Sequence, residues 1–202
     1  MKINVIFPNK KTISVNVANK CGSSTVLGTL GYPRLGEVVR HISPGLRQYG
    51  EYYENNEDIP FDPLYKFAIV RDPVDRMTSI YRQRVLQIGL DNIKDEVVDW
   101  DYFVINYKDI ELRYPDIHKN GHKQIDAIGT DASLYNKIFN TKNLSSQFRL
   151  EISKISEVQI PIVHMKHTKQ NIGSDIIINE SHIEMIKTYF SEDYIHWGNY
   201  FQ

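Results

Sequence analysis

Two strand–turn–helix passages within the first 90 residues restrict this chain to one broad fold class. Residues 13–18 (ISVNVA) alternate apolar and polar side chains, the period of a half-buried strand. They run into Asn19-Lys20-Cys21-Gly22-Ser23-Ser24-Thr25, a turn in which Ser23 or Ser24 is placed to cap a helix through VLGTL. The second passage is residues 66–70 (KFAIV), a short apolar run suited to a buried strand. Arg71 follows, then Asp72-Pro73, an N-cap with proline at the first helical position. Val74, Met77, Tyr81, Val85 and Ile88 mark the buried stripe of a helix of about four turns. Such alternation buries its apolar faces when the strands lie parallel with helices over the sheet, so the expected class is α/β with a central parallel sheet. Ligands of these sheets bind beyond the carboxyl ends of the strands, where Lys20 and Arg71 both fall.

The rest of the chain is expected to be richer in helix. Residues 35–42, 100–107, 131–140 and 144–155 carry helical spacing, and Ser181 with Glu184 reads as a capping box. Residues 159–163 (QIPIV) read as a late strand, and residues 43–63 and 108–130 as loops. Without repeats or a clear linker, residues 1–202 are expected to form a single domain. No apolar run approaches the length of a membrane span, and the start lacks the apolar stretch of a secretory signal, so a soluble, cytoplasmic protein is expected. One cysteine allows no internal disulfide.

Charge narrows the ligand. The net charge of −1 argues against a general nucleic-acid binder. Residues 1–90 nevertheless hold 12 basic and 8 acidic side chains, against 12 and 17 in residues 91–202. Five of those eight acids fall within residues 51–62, which leaves Lys20, Arg34, Arg40, Arg47, Arg71, Arg76, Arg82 and Arg84 as a cationic set suited to an anion.

The two turns carry the chemistry. A glycine–serine turn before a helix can aim several N–H groups at one anion, helped by the helix dipole. It is not a Walker A loop, because the lysine precedes the glycine. After the second strand, where a nucleoside triphosphatase places a magnesium-binding aspartate, this chain places Arg71, which reads a phosphate through a charge-assisted bond. Ser79, two turns into the helix, can add a hydroxyl.

In this order the motifs KxGSSTxL and VRDPxxRxxSxY resemble the paired binding motifs of sulfotransferases that use 3′-phosphoadenosine 5′-phosphosulfate (PAPS), closest to the carbohydrate and membrane-type branch. DYF at 101–103, QIDAIGTDASLYNKIF from Gln124 to Phe139 and YFSEDYIHWG near the carboxyl end add to the likeness. The resemblance implies a P-loop-like three-layer α/β/α fold. It implies that Lys20 and the segment Cys21, Gly22, Ser23, Ser24 and Thr25 hold the 5′-phosphosulfate, and that Arg71 and Ser79 hold the 3′-phosphate. The implied reaction moves the sulfuryl group to a hydroxyl of a carbohydrate, lipid or small alcohol, with PAP as product. Lys20 would stabilise the leaving oxygen and no divalent cation would be needed.

A base must take the acceptor's proton. His41, on the polar side of its helix beside Arg40, is the first candidate, and Glu37 the second. An ordinary surface histidine is the alternative reading of His41. Lys169, in a cluster with His164, Lys166 and His167, is a further candidate nucleotide contact. His118 and His122 have the spacing of a zinc pair, but the HExxH glutamate is missing and Gly121 interrupts the helix, so no metal is expected there. Cys21 sits at a helix start, a place that can lower a thiol pKa, but Leu27 stands where a cysteine phosphatase has its arginine, so a structural or incidental thiol is expected. The rival functions are a P-loop-like nucleotide kinase or phosphotransferase and a non-catalytic nucleotide-binding module.

Overall fold

Ile3, Val5 and Phe7 share one strand face, and the computed structural model, which describes residues 1–30, 51–54, 62–87, 98–160 and 176–202, makes this segment β1 (Lys2–Ile6). A tight turn reverses the chain into β2 (Thr12–Val17): Phe7 N–H donates to the Lys11 carbonyl at 2.9 Å, and Lys10 takes a φ of 65°. β3 (Glu51–Glu54) pairs antiparallel with β1. On the other side β4 (Tyr65–Val70) runs parallel to β2, and β5 (Lys137–Asn140) parallel to β4. The order is β3-β1-β2-β4-β5.

The class is therefore α/β, but the sheet is mixed, not wholly parallel as expected. The antiparallel half comes from two strands the sequence reading did not assign. One is β1; the other, β3, lies inside the expected loop 43–63.

β4 shows why the sheet needs helices on both sides. Phe67 and Ile69 join Ile3, Ile13, Val15 and Val17 against α1 (Ser23–Thr29) and α7 (Leu144–Ser156). Ala68 and Val70 point the other way, towards Ile128 of α6 (Gln124–Ile128), Trp197 of α9 (Ser191–Trp197) and Phe201. A strand with both faces buried is the signature of a three-layer arrangement. Phe67, Phe139 and Phe148 meet edge-on with ring centroids 5.4 to 6.4 Å apart, and each such pair adds about 0.5–1.5 kcal/mol beyond burial.

A further apolar cluster joins α2 (Pro73–Ile80) to α3 (Trp100–Ile105), α4 (Tyr107–Arg113), α5 (Pro115–Gly121) and α8 (Glu180–Tyr189) through Met77, Trp100, Phe103, Ile117 and Phe190. No helix among the described residues is long and apolar enough to cross a membrane.

Several local expectations change. Residues 131–140 form a 3₁₀ turn (Ala132–Leu134) and then β5, because Ile138 and Phe139 point to opposite faces of the sheet. Residues 108–130 are mostly helical, in α4, α5 and α6. α2 gives way at Tyr81 to a π-helical stretch (Tyr81–Gln87). The expected 100–107 helix breaks at Asn106, which ends α3 and begins α4. The capping box at α8 is Asn179 with His182, two residues earlier than expected: Asn179 Oδ1 accepts from His182 N–H at 2.9 Å. The 35–42 helix with Glu37 and His41, the 161–163 part of the late strand, and Lys169 with its cluster lie outside the described residues.

Candidate functional site

Parallel pairing of β2 with β4 brings the two turns together. Val17 sits opposite Ile69, so Asn19-Lys20 and Arg71 leave the sheet side by side. The Arg71 guanidinium donates through Nη1 to the Lys20 carbonyl at 3.0 Å. The first turn is sharply bent: Lys20 has a φ of 64° and Gly22 of 86°, both left-handed. For a lysine this conformation costs roughly 1–2 kcal/mol, which the surrounding bonds must hold in place. The Lys20 ammonium donates to Oε1 of Gln83, from the π-helical stretch. A methyl group at Gly22 would stand 2.6 Å from Leu144 Cδ2, so the turn lies directly on α7.

The N-cap of α1 is Gly22, not Ser23 or Ser24, and no side chain caps the helix. Gly22, Ser23, Ser24 and Thr25 are half-buried at the carboxyl end of the sheet. The second turn is capped as expected. Asp72 accepts from Val74 N–H at 2.8 Å and from the Tyr194 hydroxyl at 3.0 Å. Burial and the Asp72 carboxylate push the Tyr194 hydroxyl well above its ordinary pKa, so it stays a donor. Ser79 is half-buried on α2. Among the described residues it shares no hydrogen bond with Arg71.

Gln124 joins the turns. Fully buried, it accepts at Oε1 from Arg71 N–H at 2.9 Å and from the Cys21 thiol at 3.3 Å, and donates through Nε2 to the Arg71 carbonyl at 2.8 Å. Asp193 anchors it from below, accepting from the N–H groups of Gln124 at 3.0 Å and Ile125 at 3.1 Å. Burial raises the Asp193 carboxyl above its usual range, while those N–H donors and the Arg76 charge pull it back. The carboxyl-terminal motif thus reaches both the second turn, through Tyr194, and the bridge between the turns, through Asp193.

Arg76 is the other tie. It is 1% exposed, and a charge so buried must be compensated by hydrogen bonds. Nε donates to the Asn19 carbonyl at 3.0 Å, and Nη2 to the Asn120 carbonyl at 2.9 Å and to the His122 carbonyl. Asn19 Nδ2 adds a bond of 2.6 Å to the Lys119 carbonyl. The end of α5 is thereby fastened to the first turn.

Cys21 is a structural thiol, as expected, and the helix start does not activate it. It is completely buried, and burial pushes its thiol up to about 11 instead of lowering it. Its side chain faces Gln124, and only its backbone lies in the turn. Arg71 is partly buried, and the same effect moves its pKa below the ordinary arginine value without discharging it at neutral pH.

Sequence reasoning did not assign roles to Gln124 and Asp193, and it counted Arg76 among the cations suited to an anion, whereas the structure buries that guanidinium against backbone carbonyls. Gln124 opened one of the quoted motifs and Asp193 lies in another, but nothing in their spacing marks them as a bridge.

Two clefts lie elsewhere. One of about 810 Å³ is bounded by α2, α3, α4 and α8, with Met77, Val104, Tyr107, Lys108, Met185 and Tyr189 among its walls. The other, about 440 Å³, includes Ser14, Asn16, Lys66 and Tyr135. Neither is lined by the two turns.

The structure also brings Glu111 of α4 to His118 of α5 and to His122, the residue that caps the end of α5, with ligand atoms of all three within 4.8 Å of one another. The carboxylate that the local HKNGH sequence lacks comes from another helix. Comparison with protein-family models, with curated proteins and with solved structures finds no match to this chain.

Proposed function

We propose that this chain is a sulfotransferase that moves the sulfuryl group of PAPS to an acceptor hydroxyl on a P-loop-like scaffold. The observation that carries the reading is the juncture of the two turns on neighbouring parallel strands, with Arg71 bonded to the Lys20 carbonyl and Gln124 bonded to Arg71 and Cys21. Two cationic side chains that leave adjacent strands suit a ligand with two anionic groups, as PAPS has at its 5′ and 3′ positions.

In this reading Gly22, Ser23, Ser24 and Thr25 cradle the 5′-phosphosulfate and Arg71 with Ser79 takes the 3′-phosphate. The acceptor oxygen attacks sulfur in line while the bond from sulfur to the bridging oxygen breaks, and PAP leaves. Lys20 stabilises the charge that grows on that bridging oxygen. To do so its ammonium exchanges the Gln83 amide for the ligand. The acceptor's proton goes to His41, with Glu37 as the second candidate. The acceptor is a carbohydrate, lipid or small alcohol.

Thermal unfolding with PAP, without added metal, tests the reading. PAP at 100 times its dissociation constant adds roughly 2.7 kcal/mol, about 5–10 °C for a chain of this size. The shift should vanish in Arg71→Ala. A shift seen only with ATP and magnesium would replace the proposal with a kinase or phosphotransferase. PAP binding without PAP release from PAPS in any acceptor screen would favour a non-catalytic module.

A further inference from the structure

We infer that Glu111, His118 and His122 form a binding site for a divalent transition metal of the zinc type, an assignment that does not rest on the sulfuryl-transfer reading. Both histidines belong to one helical face, four residues apart, His122 being the residue that ends α5. Their ring centroids are 4.2 Å apart at an interplanar angle of 67°. His118 Nδ1 lies 3.7 Å from Glu111 Oε1. Donors around a tetrahedral ion with bonds of roughly 2.0–2.2 Å stand about 3.3 Å from one another. Small side-chain rotations therefore close the set, and both histidines are exposed and able to make them.

The donor set selects the metal. Two imidazole nitrogens and one carboxylate suit zinc, cobalt or nickel, whereas magnesium and calcium take oxygen ligands. A plain ion pair between His118 and Glu111 explains less. At 3.7 Å it is longer than a hydrogen bond, and it gives His122 no reason to lie against the other ring.

The surroundings are those of an oriented ligand. The Glu111 side chain is only 12% exposed, and its second oxygen accepts from the Tyr189 hydroxyl. Such outer contacts fix the direction of a metal-binding carboxylate. The carbonyl of His122 is held by Arg76. Gly121 permits the close approach of α5 to α4: a Cβ there would stand 2.0 Å from the Tyr107 hydroxyl and 3.2 Å from Glu111 Oε1. The Tyr107 hydroxyl is itself buried and has no hydrogen-bond partner among the described residues, a polar group beside the carboxylate. Three protein ligands leave a fourth position for water.

Arg76 stands between this site and the first turn, bonded to Asn19 on one side and to His122 on the other. A bound ion would fix the end of α5, and with it the backbone on which the Lys20 turn rests, without touching the reacting atoms.

Titration of the metal-free chain with Zn²⁺, followed by competition with a chromophoric chelator, tests the assignment. One equivalent should bind. Co²⁺ should give the intense visible bands of a tetrahedral site. His118→Ala and His122→Ala should each weaken Zn²⁺ binding by about tenfold or more, the scale found even for residues that only orient a ligand. Glu111→Gln keeps an acceptor for the Tyr189 hydroxyl and should weaken it likewise. Circular dichroism checks that each variant is folded, which the exposure of both histidines favours. Failure of the native chain to take up Zn²⁺ or Co²⁺ from excess metal would overturn the assignment. So would uptake unchanged in the His118→Ala, His122→Ala double variant.

Discussion

Replacing Gln124 by leucine tests whether one buried side chain holds the two turns together. The volumes are close, so the change removes polar contacts and opens little space. Arg71 loses the acceptor for its N–H at 2.9 Å and the donor to its carbonyl at 2.8 Å, and the Cys21 thiol loses its partner at 3.3 Å. Each orphaned backbone group costs about 1–3 kcal/mol, while the thiol bond is weak enough to neglect. Added apolar burial of leucine offsets part of this, which leaves a net loss of about 3 kcal/mol. For a chain of this length that lowers Tm by about 6–12 °C. Urea unfolding followed by circular dichroism measures it, with an unchanged m-value showing that the unfolded reference is the same. If PAP binds as proposed, the folded variant should also lose most of the PAP-induced shift, because Arg71 is no longer aimed. A loss below about 1 kcal/mol would refute the reasoning, since the Arg71 backbone would then have found other partners.

Two further outcomes follow from the same turns. Gly22→Ala meets Leu144 Cδ2 at 2.6 Å and forces an alanine to a φ of 86°, so a loss of about 2–4 kcal/mol is expected in urea unfolding. Because Leu144 is itself buried in the core, the steric part is isolated by comparison with Leu144→Ala alone, in which adding Gly22→Ala should cost only the backbone part. The buried thiol of Cys21, pushed up to about 11 from 9.0, should react with a thiolate-specific reagent at pH 8 only after unfolding. Its protonated form is favoured by the fold, so between pH 9 and 11 the unfolded chain gives up a proton that the native chain keeps. Stability should therefore fall as pH rises through that window, by up to about 1.4 kcal/mol per pH unit, and Cys21→Ala should flatten the slope.

The central strands were legible because burial leaves a periodic trace. In residues 13–18 one face is apolar and the other mixed, and in 66–70 both faces are, so β2 and β4 could be placed within a residue. Asp72-Pro73 marked the start of α2 for a local reason, a side chain that caps its own helix. The same alternation runs through Ile3, Val5 and Phe7, and β1 was within reach of the sequence. β5 was not, because Leu134 and Ile138 have helical spacing and only the register with β4 shows that Ile138 and Phe139 face opposite layers. The two turns could be read as a pair. What holds them could not: Gln124, Arg76 and Asp193 act across more than forty residues of chain, and only the closed fold gives those contacts. Glu111 is nearer in sequence to His118 and His122, yet the turn between α4 and α5 had to be known before they could be grouped.

The parallel pairing also dictates when the site can exist. β2 meets β4 by matching residue 13 with residue 65, and β4 meets β5 by matching residue 67 with residue 137. Closing such long loops is slow, because chain entropy is lost before the contacts reward it. Both turn motifs have been synthesised by residue 81, yet the glutamine that bridges them, the strand that flanks them and the aspartate beneath them come later, at 124, 137 and 193. A growing chain thus carries the written motifs long before it carries a site, and its first 90 residues released alone would hold the signature without the shape.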